Sequence, residues 1–128
     1  MKKIFYFLLI CHAVQSTLAN NINYLFRNIT TDNGLVCAQV HAILQDKKGF
    51  LWVGTTDGLN KYDSFSFKKY LPEKNNKNSI QAYNISNLFQ DKNGLLWIFF
   101  SSGELSYYNP LSDKIYQFQH TAIKKNHT

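Results

Sequence analysis

Two cysteines, two prolines, one methionine and two tryptophans are all that this chain holds of those residue types. If the first cysteine, Cys11, is lost with the N-terminus, Cys37 stands alone, and one thiol cannot close an internal disulfide. Alanine is scarce, so long helices are not expected past the first residues. Apolar runs are short: the longest, Ile4 to Val14, is broken by His12 and falls below the ~20 residues a membrane helix needs. Acidic residues number eight against fourteen basic ones, for a formal charge of +6. The lysines are scattered as Lys47-Lys48, Lys68-Lys69, Lys74, Lys77 and Lys124-Lys125, and form no block or stripe. A nucleic-acid partner would need such a cluster on one face. No glycine-rich phosphate loop is present and no phosphoacceptor-histidine helix. No His/Cys/Asp set has metal-ligand spacing. The sequence thus implies no cofactor, no metal and no catalytic set.

What is present begins with an export signal. Lys2 and Lys3 precede the apolar run, and Thr17-Leu18-Ala19 offers small residues at a cleavage site. Residues 1–19 are expected to be a signal peptide, which places the mature chain in the periplasm without a transmembrane span. The 128 residues suit one domain, and 45% of them are hydrophobic. Aromatics reach 16%, which favours strands over helices.

The chain then repeats itself. Ile43 to Gly58 (ILQDKKGFLWVGTTDG) aligns with Leu88 to Gly103 (LFQDKNGLLWIFFSSG) at an offset of 45, with seven of 16 positions identical. Downstream the offset becomes 46, pairing Leu59 with Leu105 and Tyr62 with Tyr108. A strand-rich period of this length is the signature of propeller blades. Each unit reads as four short strands: 40–45, 50–55, 59–62 and 65–70, then 85–90, 95–100, 105–108 and 115–120. The expected organisation is an N-terminal strand and lead-in over 20–39, blade 1 over 40–71, a linker loop over 72–84, blade 2 over 85–120 and a polar tail over 121–128. The strand within 20–39, Tyr24 to Ile29, would complete the last blade of a ring. The fold expected is all-β, a partial propeller of about two blades.

The element Asp-Lys-x-Gly-x-x-Trp carries a structural motif: Asp46, Gly49 and Trp52, repeated as Asp91, Gly94 and Trp97. Asp accepts bonds from the backbone N–H groups of its turn, and Gly takes positive φ cheaply. Gly54, Gly58 and Gly103 punctuate the second half. Strand two is apolar on both faces, as a blade between neighbours requires. With two blades, residues such as Leu51, Val53, Leu96, Ile98 and Phe100 are expected to face outward without a neighbour. Self-association, into a ring of three or four copies, is one expected outcome.

The phrases TTDNGL (Thr30 to Leu35), VHAILQDKKGFLWVGTTDGLNKYD (Val40 to Asp63) and NISNLFQDKNGLLW (Asn84 to Trp97) resemble the two-component regulator propeller repeats. These repeats form the N-terminal sensor region of hybrid two-component histidine kinases of Bacteroidetes. The resemblance implies a non-catalytic, periplasmic, ligand-sensing module, with an oligosaccharide as the ligand of the complete seven-bladed propeller. It also implies that other blades are partners and that this chain is a piece of such a sensor, since the kinase parts are absent. The ligand-binding residues stay unknown. Phe99-Phe100-Ser101 depart from the pattern set by Gly54-Thr55-Thr56, as does Glu104, where a second Gly is usual. The rival readings are a freestanding propeller-forming structural protein and an exported carbohydrate-active enzyme.

Overall fold

The structure is a computed structural model that describes residues 25–118. The expected signal peptide, Tyr24, the last two residues of the expected eighth strand and the tail lie outside the described residues. Eight strands form two four-stranded antiparallel sheets in simple meander order. The first sheet holds β1 (Val40–Gln45), β2 (Leu51–Thr55), β3 (Gly58–Tyr62) and β4 (Phe67–Tyr70). The second holds β5 (Ile85–Gln90), β6 (Leu96–Phe100), β7 (Leu105–Asn109) and β8 (Lys114–Phe118). All eight strands expected within the two blades are present, with ends displaced by at most two residues among the described residues.

Each hairpin turn is built as its residues demand. The Asp46 carboxylate accepts from the backbone N–H of Lys48 at 2.9 Å and of Phe50 at 3.0 Å. Asp91 does the same with Asn93 at 2.8 Å and Leu95 at 3.0 Å. Gly49 and Gly94 close these turns at φ +89° and +87°, where a side chain would be strained. In both blades the ladder slips by one residue, at His41 and at Ser86, so the repeat extends to its bulges. The change of offset sits in one turn. Thr55 pairs directly with Gly58 around Thr56-Asp57, whereas Phe100 N–H reaches Glu104 O at 3.2 Å around three residues ending in Gly103 at φ +97°. A three-residue hairpin with a left-handed glycine absorbs the insertion, and the Phe99-Phe100-Ser101 departure leaves the strands intact.

The core lies between the two sheets. Ala42, Trp52 and Leu59 of the first sheet meet Ile85, Leu88, Leu96, Ile98, Phe100, Tyr108 and Ile115 of the second. Strand alternation sends Leu96, Ile98 and Phe100 into this seam, so the expectation that they face outward is corrected. Their outward neighbours are Trp97 and Phe99, which share the open side of blade 2 with Phe89, Tyr107 and Phe118. Leu51 and Val53 do lie on the far side of blade 1, but Val53 is buried there by the lead-in.

The lead-in brings a second correction. Residues 25–30 form no strand, and among the described residues neither sheet takes a fifth. A strand exists through its ladder, and the blade that would supply this one is not among the described residues. Instead a 3-10 turn at Thr31–Asn33 ends at Gly34 with φ 104° and delivers Leu35, 6% exposed, onto the outer side of blade 1. Ile80, 45 residues later, enters the seam in the same way before blade 2. The Asn60 side chain fixes the first lead-in by accepting the Val36 N–H at 3.0 Å.

Candidate functional site

A cleft opens between the blades on the side of the first and third turns of each sheet. Its larger lobe, about 240 Å³, lies between the Asp46-Lys47-Lys48 turn and the Asn93-Gly94 turn, with Tyr108 and Pro110 behind. A shallower lobe of about 180 Å³ is lined by Phe50, Lys61, Asp63, Ser66, Lys68 and Asp113. Of the motif residues, Asp46 and Gly94 line the larger lobe. The indole N–H of Trp52 donates to the Asp46 carboxylate at 2.8 Å, and Trp97 repeats the bond to Asp91 at 3.1 Å. Asp46 and Asp91 are therefore turn acceptors that also anchor their own tryptophans. The indole bond is the first cause holding the Asp91 carboxyl below the usual range, ahead of the Leu95 and Asn93 N–H groups. Gly58, at φ +141°, starts β3; Gly54 lies flat in β2, where only a hydrogen fits against Ile85.

The two lobes are joined by a polar chain that crosses the seam. The Lys61 ammonium donates to the Tyr108 hydroxyl at 3.2 Å, and that hydroxyl donates to Asp113 at 2.7 Å. Lys68 closes the chain with an ion pair to the other Asp113 oxygen at 2.9 Å. Lys61 also sits 4.0 Å above the Phe50 ring, 5.3 Å from Trp52 and 5.2 Å from Tyr108. Burial pulls the Lys61 amine below its ordinary pKa, against the opposing charges of Asp113 and Asp46. Burial, then the bond to Asp113, pushes the Tyr108 hydroxyl far up, so it remains a donor. The Tyr108 bond, then Lys68, holds the Asp113 carboxyl down.

A further clasp links the turns. Gln90 accepts the Lys47 N–H at 3.0 Å, and the Lys47 ammonium reaches the Asp91 and Lys92 carbonyls at 3.3 and 3.1 Å. The sequence marks Lys47 as a solvated turn; it is exposed, yet its donors are spent on the next blade. Sequence reasoning also missed the Lys61–Tyr108–Asp113–Lys68 chain. Its members occupy non-equivalent positions of the two repeats, so aligning the repeats does not bring them together.

Chemically the cleft offers donors, acceptors and ring faces to a polar ligand. His41 lies exposed at the β1 bulge, away from these groups. Among the described residues no group of three His, Cys, Asp or Glu is placed to hold a metal.

Comparison with known proteins agrees with this architecture. Residues 34–57 match the family model described as "Two component regulator propeller". The chain is 46% identical over 65 residues to histidine kinase P4 of Formosa agariphila, a match covering 51% of this chain and 5% of the kinase. It also superposes, with a TM-score of 0.69 and 29% identity, on the extracellular domain of a hybrid two component system from B. thetaiotaomicron. That match covers 78% of this chain and 14% of the solved one. The chain thus spans a small part of both proteins. The two sheets are blades of the propeller kind, and they resemble the extracellular sensor region of a two-component system.

Proposed function

We propose that this chain forms part of a periplasmic ligand-sensing propeller, that the ligand is an oligosaccharide, and that the chain contributes binding rather than catalysis. The observation that carries this reading is the likeness of two successive blades to the extracellular domain of a hybrid two component system. The interblade cleft supports it: a hydroxyl-rich ligand needs donors, acceptors and a ring to lie against, and Lys61, Tyr108, Asp113 and Phe50 offer these. The N-terminal Lys2-Lys3, the apolar run and Ala19, expected from the sequence to be an export signal, support it. Further blades are expected to complete the ring, because both outer sheet faces keep apolar residues uncovered.

The test is calorimetric titration of the full chain with a panel of neutral and acidic oligosaccharides, repeated on Lys61→Met. Binding that weakens in the variant supports the reading. Hydrolysis of any panel member overturns the non-catalytic role, and equal binding by both chains moves the site away from the cleft.

A further inference from the structure

The internal repeat makes each outer face comparable with the seam that already exists. The open side of blade 2 is the repeat of the side of blade 1 that receives blade 2. Trp52 corresponds to Trp97, Tyr70 to Tyr116 and Lys68 to Lys114, and these pairs keep their residue type. Others do not: Lys61 corresponds to Tyr107 and Leu44 to Phe89, and two further exchanges alter size or polarity at the seam itself. Gly54 corresponds to Phe99, and Ala42 to Asn87.

The exchange at Gly54 matters because of what glycine permits. A Cβ placed on Gly54 would lie 2.6 Å from Ile85 Cγ2, a distance real Cβ atoms essentially never show, and a tight 3.1 Å from Ile85 Cβ. Blade 2 therefore seats on blade 1 through a bulky residue, Ile85, filling the hollow that glycine leaves. On the next face the hollow is gone, since Phe99 stands there, 39% exposed. The residue of blade 1 that corresponds to Ile85 is Val40. It is branched at Cβ and carries the same offending methyl. A first blade arriving in the register of the internal seam would thus drive Val40 into Phe99.

Charge gives a second criterion. Lys68 is paired across the seam with Asp113. Its counterpart Lys114 is exposed on the open face. In a second copy the residue at the Asp113 place is Phe67, which offers no acid.

We propose that the outer face of blade 2 docks a further four-stranded blade that presents a small residue opposite Phe99 and an acidic residue opposite Lys114, and that it rejects the first blade of a second copy of this chain. The seam's size relation is inverted from one interface to the next: small on blade 1 against large on blade 2, then large on blade 2 against small on its neighbour. Copies of this chain then do not close head to tail into a ring. The preference is a matter of packing and does not depend on what the cleft binds.

The probe is the chain itself, with its mass followed by light scattering over a concentration series. Phe99→Gly, which restores the hollow, and Val40→Gly, which shrinks the incoming residue, are each expected to associate at concentrations at least tenfold lower than the unaltered chain. The double variant, left with a void, is expected to associate less than either single one. Phe118→Gly removes an aromatic from the same face without touching the hollow and should not tighten association. Circular dichroism confirms that each variant keeps its β content. A ring of three or four unaltered copies would overturn the proposal. So would unchanged association in both glycine variants, or a dimer that Phe99→Gly weakens, which would mean that two aromatic faces pair with each other.

Discussion

Trp52 and Trp97 hold the same place in successive blades, bonded alike to Asp46 and Asp91, yet Trp52 is fully buried and Trp97 lies on an open face. Trp52 stacks at 5.7 Å on Tyr70 and tilts at 4.7 Å against Tyr108 of the other sheet. Trp97 meets rings of its own blade alone, Tyr107 at 5.3 Å and Phe118 at 5.7 Å. Replacing Trp52 by Ala should cost about 3–5 kcal/mol, the range for a buried aromatic. Trp97→Ala should cost about 1–2 kcal/mol, because part of its surface is wet before the change. Denaturant unfolding of both variants checks the difference; equal losses would mean that blade 2 is covered in solution.

The Asp46 carboxylate serves two backbone N–H groups and the sealed indole. Asp46→Ala leaves a buried donor without a partner, which costs about 1–3 kcal/mol beyond the lost turn. Asp91→Ala should lose less, since water reaches the Trp97 side. Thermal melts of the two variants give the ordering.

Gly54 and Ile85 are coupled through space. Gly54→Ala should destabilise by about 1–3 kcal/mol through overpacking. Combined with Ile85→Ala, which removes the obstructing methyl, the loss should fall short of the sum of the single losses. A double-mutant cycle measures this, and strict additivity would place Ile85 away from Gly54.

Much of the fold is legible in the sequence because turns and alternation are local. Asp46, Gly49, Asp91 and Gly94 determine where the chain reverses, so the strands fall where the repeat puts them. Which face of a strand is covered is not local: Leu96 and Trp97 are both apolar, and the position of the other sheet alone decides between them. The lead-in residue Leu35 had a signal, its match to Ile80 at the same offset as the tryptophans, but a short apolar stretch after a polar turn does not announce a plug. The Lys61–Tyr108–Asp113 chain had none, since it joins unlike positions of unlike blades.

Acid should loosen the seam. The folded Asp113 carboxyl lies below its unfolded value, so its charge contributes stability that is present above the ordinary carboxylate range near about 4 and is lost as pH falls through the lower folded value. Both partners of the Lys68 pair are more than half exposed, at 54% and 59%, so screening limits the effect to about 1 kcal/mol or less. Asp113→Asn should therefore be less stable than the parent at pH 7, with the gap closing below pH of about 4. A gap that persists in acid would assign the loss to the Tyr108 hydrogen bond rather than to charge.

The unequal settings of the two tryptophans give the chain a built-in optical gauge. An indole sealed between two sheets emits further to the blue and is shielded from dissolved quenchers; one on an open face emits further to the red and is quenched. Trp52 then reports whether the seam is closed, and Trp97 whether anything lies on the outer face of blade 2. Docking there would shift and protect the red component alone, while parting of the blades would change the blue one first. No label is needed, because the repeat has already placed one chromophore on each side of blade 2's position in the stack.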